Sequence, residues 1–170
     1  MNWLASVFLV VWAGSLAYED WRWRRLPNSL LLGGVLIGAA HCLVYGLTPF
    51  GASVASGLLA ALLGLLALLA FYARGWMGAG DVKLMAVVGW LGGAQVLLVV
   101  FLFASLLAGV MALLVSSPMV RPWMSDAWLA ARLQGRIPFG AGVAAVLVAL
   151  IFGWLDVSIL PTPWAVPAHA

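Results

Sequence analysis

Residues 52–73 read ASVASGLLAALLGLLALLAFYA. The run holds no charged residue and no proline, and it does not alternate apolar with polar. About 20 apolar residues in a helix cross a bilayer core. A run of this length and character is a membrane-crossing helix, not a strand of a membrane barrel.

The rest of the chain agrees. Of its 170 residues 66% are hydrophobic and 8% charged, with mean hydropathy +1.15. A soluble domain carries roughly 25% charged residues, so this chain cannot cover a water-facing surface. Lipid accepts such a surface if the backbone polar groups are satisfied internally, which helices do. Further apolar segments lie at about 3–18, 29–46, 95–115 and 138–155. The segment at about 82–92 is shorter and reads as a shallow or tilted helix. Gly92-Gly93 separates it from the next.

The net charge of +3 and sequence pI near 9.6 do not point to nucleic acid, because the basic residues sit at the ends of apolar runs. They form three groups: Arg22, Arg24 and Arg25; Arg74 and Lys83; Arg121, Arg132 and Arg136. Lys and Arg collect on the cytoplasmic side. All three groups share that side if the stretch 84–115 crosses twice, with its break at Gly92-Gly93. The expected fold is thus an all-α integral membrane protein, a single bundle of six transmembrane helices over 1–170 with both termini outside. Residues 127–133 suit a short amphipathic helix on the inner surface. A cleaved signal peptide is disfavoured, since no Lys or Arg precedes the first run.

An ionisable group at membrane depth is a functional candidate by default. Asp81 lies in Gly78-Ala79-Gly80-Asp81-Val82-Lys83-Leu84. Its glycines permit a sharp turn, and the positive end of the following helix favours a carboxylate. The same residues also read as a plain turn and helix cap. Asp20 opens Asp20-Trp21-Arg22-Trp23-Arg24-Arg25-Leu26-Pro27-Asn28. It stands at a helix C-terminus, where an acid is electrostatically disfavoured; it also reads as an interfacial acid neutralising an Arg-rich loop. Both acids fall at cytoplasmic ends of their helices. Two facing carboxylates can share a proton and activate one water, titrating as a unit.

These two motifs, in this order, resemble those of the bacterial type IV prepilin peptidases: Asp-x-Arg-x-x-x-Ile/Leu-Pro-Asn and Gly-x-Gly-Asp-x-Lys-Leu. Arg136-Ile137-Pro138-Phe139-Gly140 is similar to the family's opening of the last helix. The resemblance covers essentially the whole chain. It implies an aspartyl endopeptidase of the Gly-x-Gly-Asp type in the bacterial inner membrane, with Asp20 and Asp81 as the catalytic pair. Gly78, Gly80, Lys83, Arg22, Pro27 and Asn28 would bind substrate or support the pair. The implied partners are prepilin-like precursors, membrane lipid and a pilus or secretion assembly machinery, with no nucleic acid. Archaeal preflagellin peptidases and presenilin-like proteases share the Gly-x-Gly-Asp aspartate; Leu26-Pro27-Asn28 favours the prepilin group. Long members add a cytoplasmic domain with paired Cys-x-x-Cys motifs and methylate the mature pilin. With Cys42 as its one cysteine, this chain is similar to the short Flp/Tad-type members, and methyltransferase activity is not expected.

No cofactor or metal is expected. His41 and Cys42 are adjacent on a helix and face different ways. Glu19 reads as a solvated neighbour of Asp20, and Asp156 as interfacial. Gly34-x-x-x-Gly38 and Gly89-x-x-x-Gly93 read as helix-packing faces. Trp21, Trp23, Trp76, Trp90 and Trp154 read as an interfacial aromatic belt. A non-catalytic membrane subunit of a pilus or secretion system is the alternative function. A proton-coupled transporter ranks lower, since the span interiors carry no charge.

Overall fold

The computed structural model describes residues 3–23, 25–116 and 139–153. It is all-helical over these residues, with α1 Trp3–Trp23, α2 Asn28–Tyr45, α3 Val54–Ala73, α4 Ala79–Ser116 and α5 Phe139–Ile151. Among the described residues three stretches are long and apolar enough to cross a membrane: Asn28–Tyr45, Val54–Ala73 and Ala79–Leu114. The expected surface helix at 127–133, the basic residues Arg24, Arg121, Arg132 and Arg136, and also Trp154 and Asp156, lie outside the described residues.

Helix α1 continues past the apolar limit at about 18 to Trp23. Hydropathy marks where lipid ends, whereas a helix runs on until something stops it, and the first proline in its path is Pro27. Asp20 therefore sits inside the last turns of α1. Pro27, at φ −67° and ψ 138°, caps α2, and its carbonyl accepts the N–H of Leu30 at 3.1 Å. Gly46, at φ 72°, ends α2 in the left-handed region. The Ser53 hydroxyl accepts the Ser56 N–H at 3.2 Å, so α3 begins at Val54 rather than near 52.

The end of α3 is a Schellman turn. The Gly75 N–H bonds the Tyr72 carbonyl at 2.9 Å, and the Trp76 N–H bonds that of Phe71 at 3.0 Å. Phe71 and Trp76 meet edge to face with centroids 5.8 Å apart, the apolar contact that accompanies such turns. The chain is thereby redirected into Met77-Gly78 and α4.

Helix α4 is interrupted at Gly93, with φ 73° and ψ −172°. That backbone is open essentially to glycine alone. The break frees carbonyls from the helical ladder, and the Phe50 N–H takes one of them, that of Leu91, at 3.3 Å. The connection from α2 to α3 thus packs on the break, with Thr48 fully buried. The expected division at Gly92-Gly93 is present as this interruption.

The core centres on α4, which packs against α3, α2 and α5, while α1 packs against α5 and α2. Helix α3 turns a largely small-residue face inward: Gly57, Ala60 and Gly64 are buried along with Leu68, whereas Leu59, Leu62, Leu63 and Leu66 are exposed. In lipid, apolar side chains face outward at no cost and small residues let backbones close up. A Cβ at Gly89 of α4 would lie 2.8 Å from the backbone of Ala60. One at Gly34 would lie 2.7 Å from Val87, and one at Gly38 would overlap the Trp90 ring. Both expected glycine pairs are packing faces. Trp90 is only partly exposed; its Nε1 donates to the Val35 carbonyl at 3.2 Å, so it serves the α2–α4 seam. Trp21, Trp23 and Trp76 are exposed, as belt residues would be.

Candidate active site

Asp20 is 6% exposed, the one buried acid among the described residues. Its Oδ2 accepts the N–H of Ala141 at 2.8 Å. Ala141 lies in the first turn of α5, where backbone donors lack helical partners and the helix dipole is positive. The negative end of α1 and the positive end of α5 thus meet at one carboxylate. The electrostatic penalty expected from α1 alone is offset by a helix that the local sequence does not reveal. Gly140 makes the approach possible: a Cβ there would stand 3.1 Å from Oδ2 and 3.2 Å from Cγ of Asp20.

Asp81 occupies the first turn of α4, where the dipole favours an anion. The carbonyl of Gly78 accepts the N–H of Asp81 at 3.1 Å and that of Val82 at 3.2 Å, so Gly78 caps the helix. The carboxylate folds back over that cap; a Cβ on Gly78 would stand 3.1 Å from Asp81 Oδ2. Cap and acid therefore form one compact turn, as the capping reading of the motif expects.

Asp20 and Asp81 line the same cavity, of about 820 Å³. Arg25 and Leu26 complete its wall from the α1–α2 connection, Tyr72 from the end of α3 and Phe139 from the start of α5. Gly78 and Gly80 also lie on this wall. Lys83 and Asn28 do not line it, but they join the two motifs: Lys83 Nζ donates to Asn28 Oδ1 at 3.2 Å. Sequence reasoning paired Lys83 with Asp81 or with substrate and did not anticipate this tie. Pro27 acts as the α2 cap. Arg22 is exposed, with its guanidinium carbon 5.4 Å from the Trp23 ring centroid. Glu19 lines a separate groove of about 590 Å³ with Ser15 and Pro27.

Sequence reasoning missed Gly140 and Ala141 as the support of Asp20, and Leu26 as part of the wall. The signal for Gly140 was its place beside Phe139 at the opening of the last helix. Among the described residues no three His, Cys, Asp or Glu side chains gather as metal ligands.

The profile of the type IV leader peptidase family matches residues 7–113, which is more than half of the chain and contains both aspartate motifs. This chain belongs to that family. Comparison with curated proteins and with solved structures returns no match. Membership makes the chain a peptidase, a hydrolase, and the family's substrates are prepilin-like proteins. The resemblance carried by the two motifs is thereby substantiated at family level.

Proposed function

We propose that this protein is an aspartyl endopeptidase of the bacterial inner membrane that removes the leader peptide of prepilin-like precursors. Cleavage takes place at the cytoplasmic face, by water activated between Asp20 and Asp81. The observation that carries this reading is the shared cavity: one carboxylate from the end of α1 and one from the start of α4 line a single space.

The chemistry follows from two acids holding one proton. The ionised carboxylate takes a proton from water as its oxygen attacks the scissile carbonyl. The protonated one gives its proton to the carbonyl oxygen, forming a neutral gem-diol. Collapse breaks the C–N bond while a proton passes to the leaving amine, and the pair ends with one proton as it began. Tyr72, Met77 and Phe139 supply apolar wall for the peptide beside the scissile bond, and Gly78 and Gly80 admit its backbone.

In this reading α4 counts as two spans divided at Gly93, giving one membrane domain of six spans with both termini outside. Lys83 and the arginines of the α1–α2 connection then share the cytoplasmic side, in agreement with the positive-inside rule. Lipid surrounds the bundle, and a pilus or secretion machinery receives the product. Arg22 anchors this face.

Purified protein in detergent, offered a prepilin-like substrate beside its Asp20→Asn and Asp81→Asn variants, tests the reading. Wild type releases the leader, and each variant folds but loses on the order of 10²–10⁴-fold in rate, the usual contribution of acid–base groups. Full activity in either variant removes that residue from the pair. Cysteine accessibility tests the sidedness: labels at residues 25 and 75 should react from the cytoplasm, and periplasmic reaction of either would exclude the proposed topology.

A further inference from the structure

Leu26 lies between the two turns that carry the aspartates. Its Cβ would stand 3.2 Å, and its Cδ1 3.5 Å, from a Cβ placed on Gly80, the residue before Asp81. Its other methyl, Cδ2, would stand 3.2 Å from a Cβ placed on Gly140, the residue before the Ala141 whose N–H holds Asp20. One branched side chain therefore abuts the first turn of α4 with one methyl and the first turn of α5 with the other.

The side chain is also held from behind. Pro27 fixes the backbone at φ −67° as it enters α2. Asn28 accepts a hydrogen bond from Lys83, one helical turn or less beyond Asp81. Both ends of the contact are thus referred to the same rigid frame. Ordinary carbon contacts lie near 3.5–4.0 Å, so a Cβ at either glycine would press on Leu26, and glycine leaves room for it against both turns. A glycine at each position is what lets one leucine set both distances.

We infer that Leu26 is a positioning residue that sets the gap between the Asp20 and Asp81 carboxylates, acting as a spacer between the first turns of α4 and α5. The inference rests on the proposed pairing of those acids for its catalytic consequence, though the spacing itself is a matter of packing. A leucine suits the task because its two methyl groups diverge from one carbon, whereas alanine would keep the Cβ against Gly80 but withdraw Cδ1 from that turn and leave the turn of α5 without a stop.

Two measurements on the full-length protein in detergent test this. In the first, cleavage of a prepilin-like substrate is followed for Leu26→Ala and Leu26→Met beside Asp20→Asn and Asp81→Asn. A misplacement of about 1 Å costs on the order of 10²-fold in rate. Leu26→Ala is expected to lose that order in kcat with KM little changed and the thermal transition retained. Leu26→Met, of similar volume, should recover most of it. An unchanged kcat, or a raised KM with kcat intact, overturns the inference by making Leu26 inert or a substrate contact. The second measurement does not depend on catalysis. In a Cys42→Ser background, the Asp20→Cys/Asp81→Cys pair is oxidised with and without Leu26→Ala. Faster disulfide formation upon loss of Leu26 is expected, and an unchanged or slower rate overturns the spacer. Should Asp20→Asn or Asp81→Asn remain active, the paired mechanism fails, while the disulfide rate still decides whether Leu26 sets the gap.

Discussion

The N–H of Ala141 donates to Asp20 Oδ2 at 2.8 Å across a separation of 121 residues. This contact belongs to the packing of α1 against α5 and ends on a buried carboxylate at the wall of the cavity.

Gly140→Ala should therefore be a severe change at a small cost in volume. The added methyl enters within 3.1 Å of Asp20 Oδ2 and 3.2 Å of Leu26 Cδ2, and the carboxyl has to shift. Peptidase activity is expected to fall on the order of 10²-fold, the penalty of about 1 Å of misplacement. Steady-state cleavage, compared with Gly142→Ala as a control in the same helix, checks it. A Cβ at Gly142 meets only ordinary contacts, the nearest at 3.5 Å.

The tie between Lys83 and Asn28 is exposed, so its loss should barely change stability. A net hydrogen bond contributes about 0.5–1.5 kcal/mol, and exposure places this one at the low end. Lys83→Met and Asn28→Ala should each lower activity by a similar factor. The double variant should be no worse than either alone, because both remove one interaction. A double-mutant cycle on kcat/KM, with thermal unfolding alongside, measures this; fully additive losses would mean that the two residues act separately.

Gly93→Ala should destabilise the fold by about 1–3 kcal/mol, the cost of holding a non-glycine residue in that backbone region. The new methyl would also press on Ala52 Cβ and Ser56 Oγ, both at 3.0 Å. The thermal transition in detergent should drop, while activity per folded molecule is retained at temperatures below it.

Trp12 offers a milder test of the α1–α2 seam. Its Nε1 donates to the Leu30 carbonyl at 2.7 Å, and its ring fills the space left by Gly34. Trp12→Phe should cost about 1–3 kcal/mol through the lost side-chain hydrogen bond and the lost ring volume. Gly34→Val should cost a similar amount by overpacking. Unfolding of both variants, read by circular dichroism in detergent, checks the pair.

Much of the site was legible because the two motifs are local. The spacing from Asp20 to Asn28 and from Gly78 to Leu84 needs no tertiary knowledge, and the break at Gly93 follows from two adjacent glycines. The end of α1 was less legible, because hydropathy reports the lipid boundary and not the hydrogen-bond ladder. What holds Asp20 was not legible from its own surroundings. An acid near a helix C-terminus looks poorly placed until α5 presents its N-terminus, and that meeting is a product of packing. The place of Leu26 against Gly80 and Gly140 was hidden likewise, since a leucine in an apolar chain carries no sign of facing two glycines at once.

The capping of Asp20 by α5 also ties the site to the far end of the chain. Ribosomal synthesis delivers Asp20 and Asp81 well before Ala141. A chain that has emerged only as far as α4 holds both acids, yet lacks the backbone donor that completes the buried carboxylate's setting. A chain cut short before Phe139 would thus carry both motifs and still lack the N–H that holds Asp20.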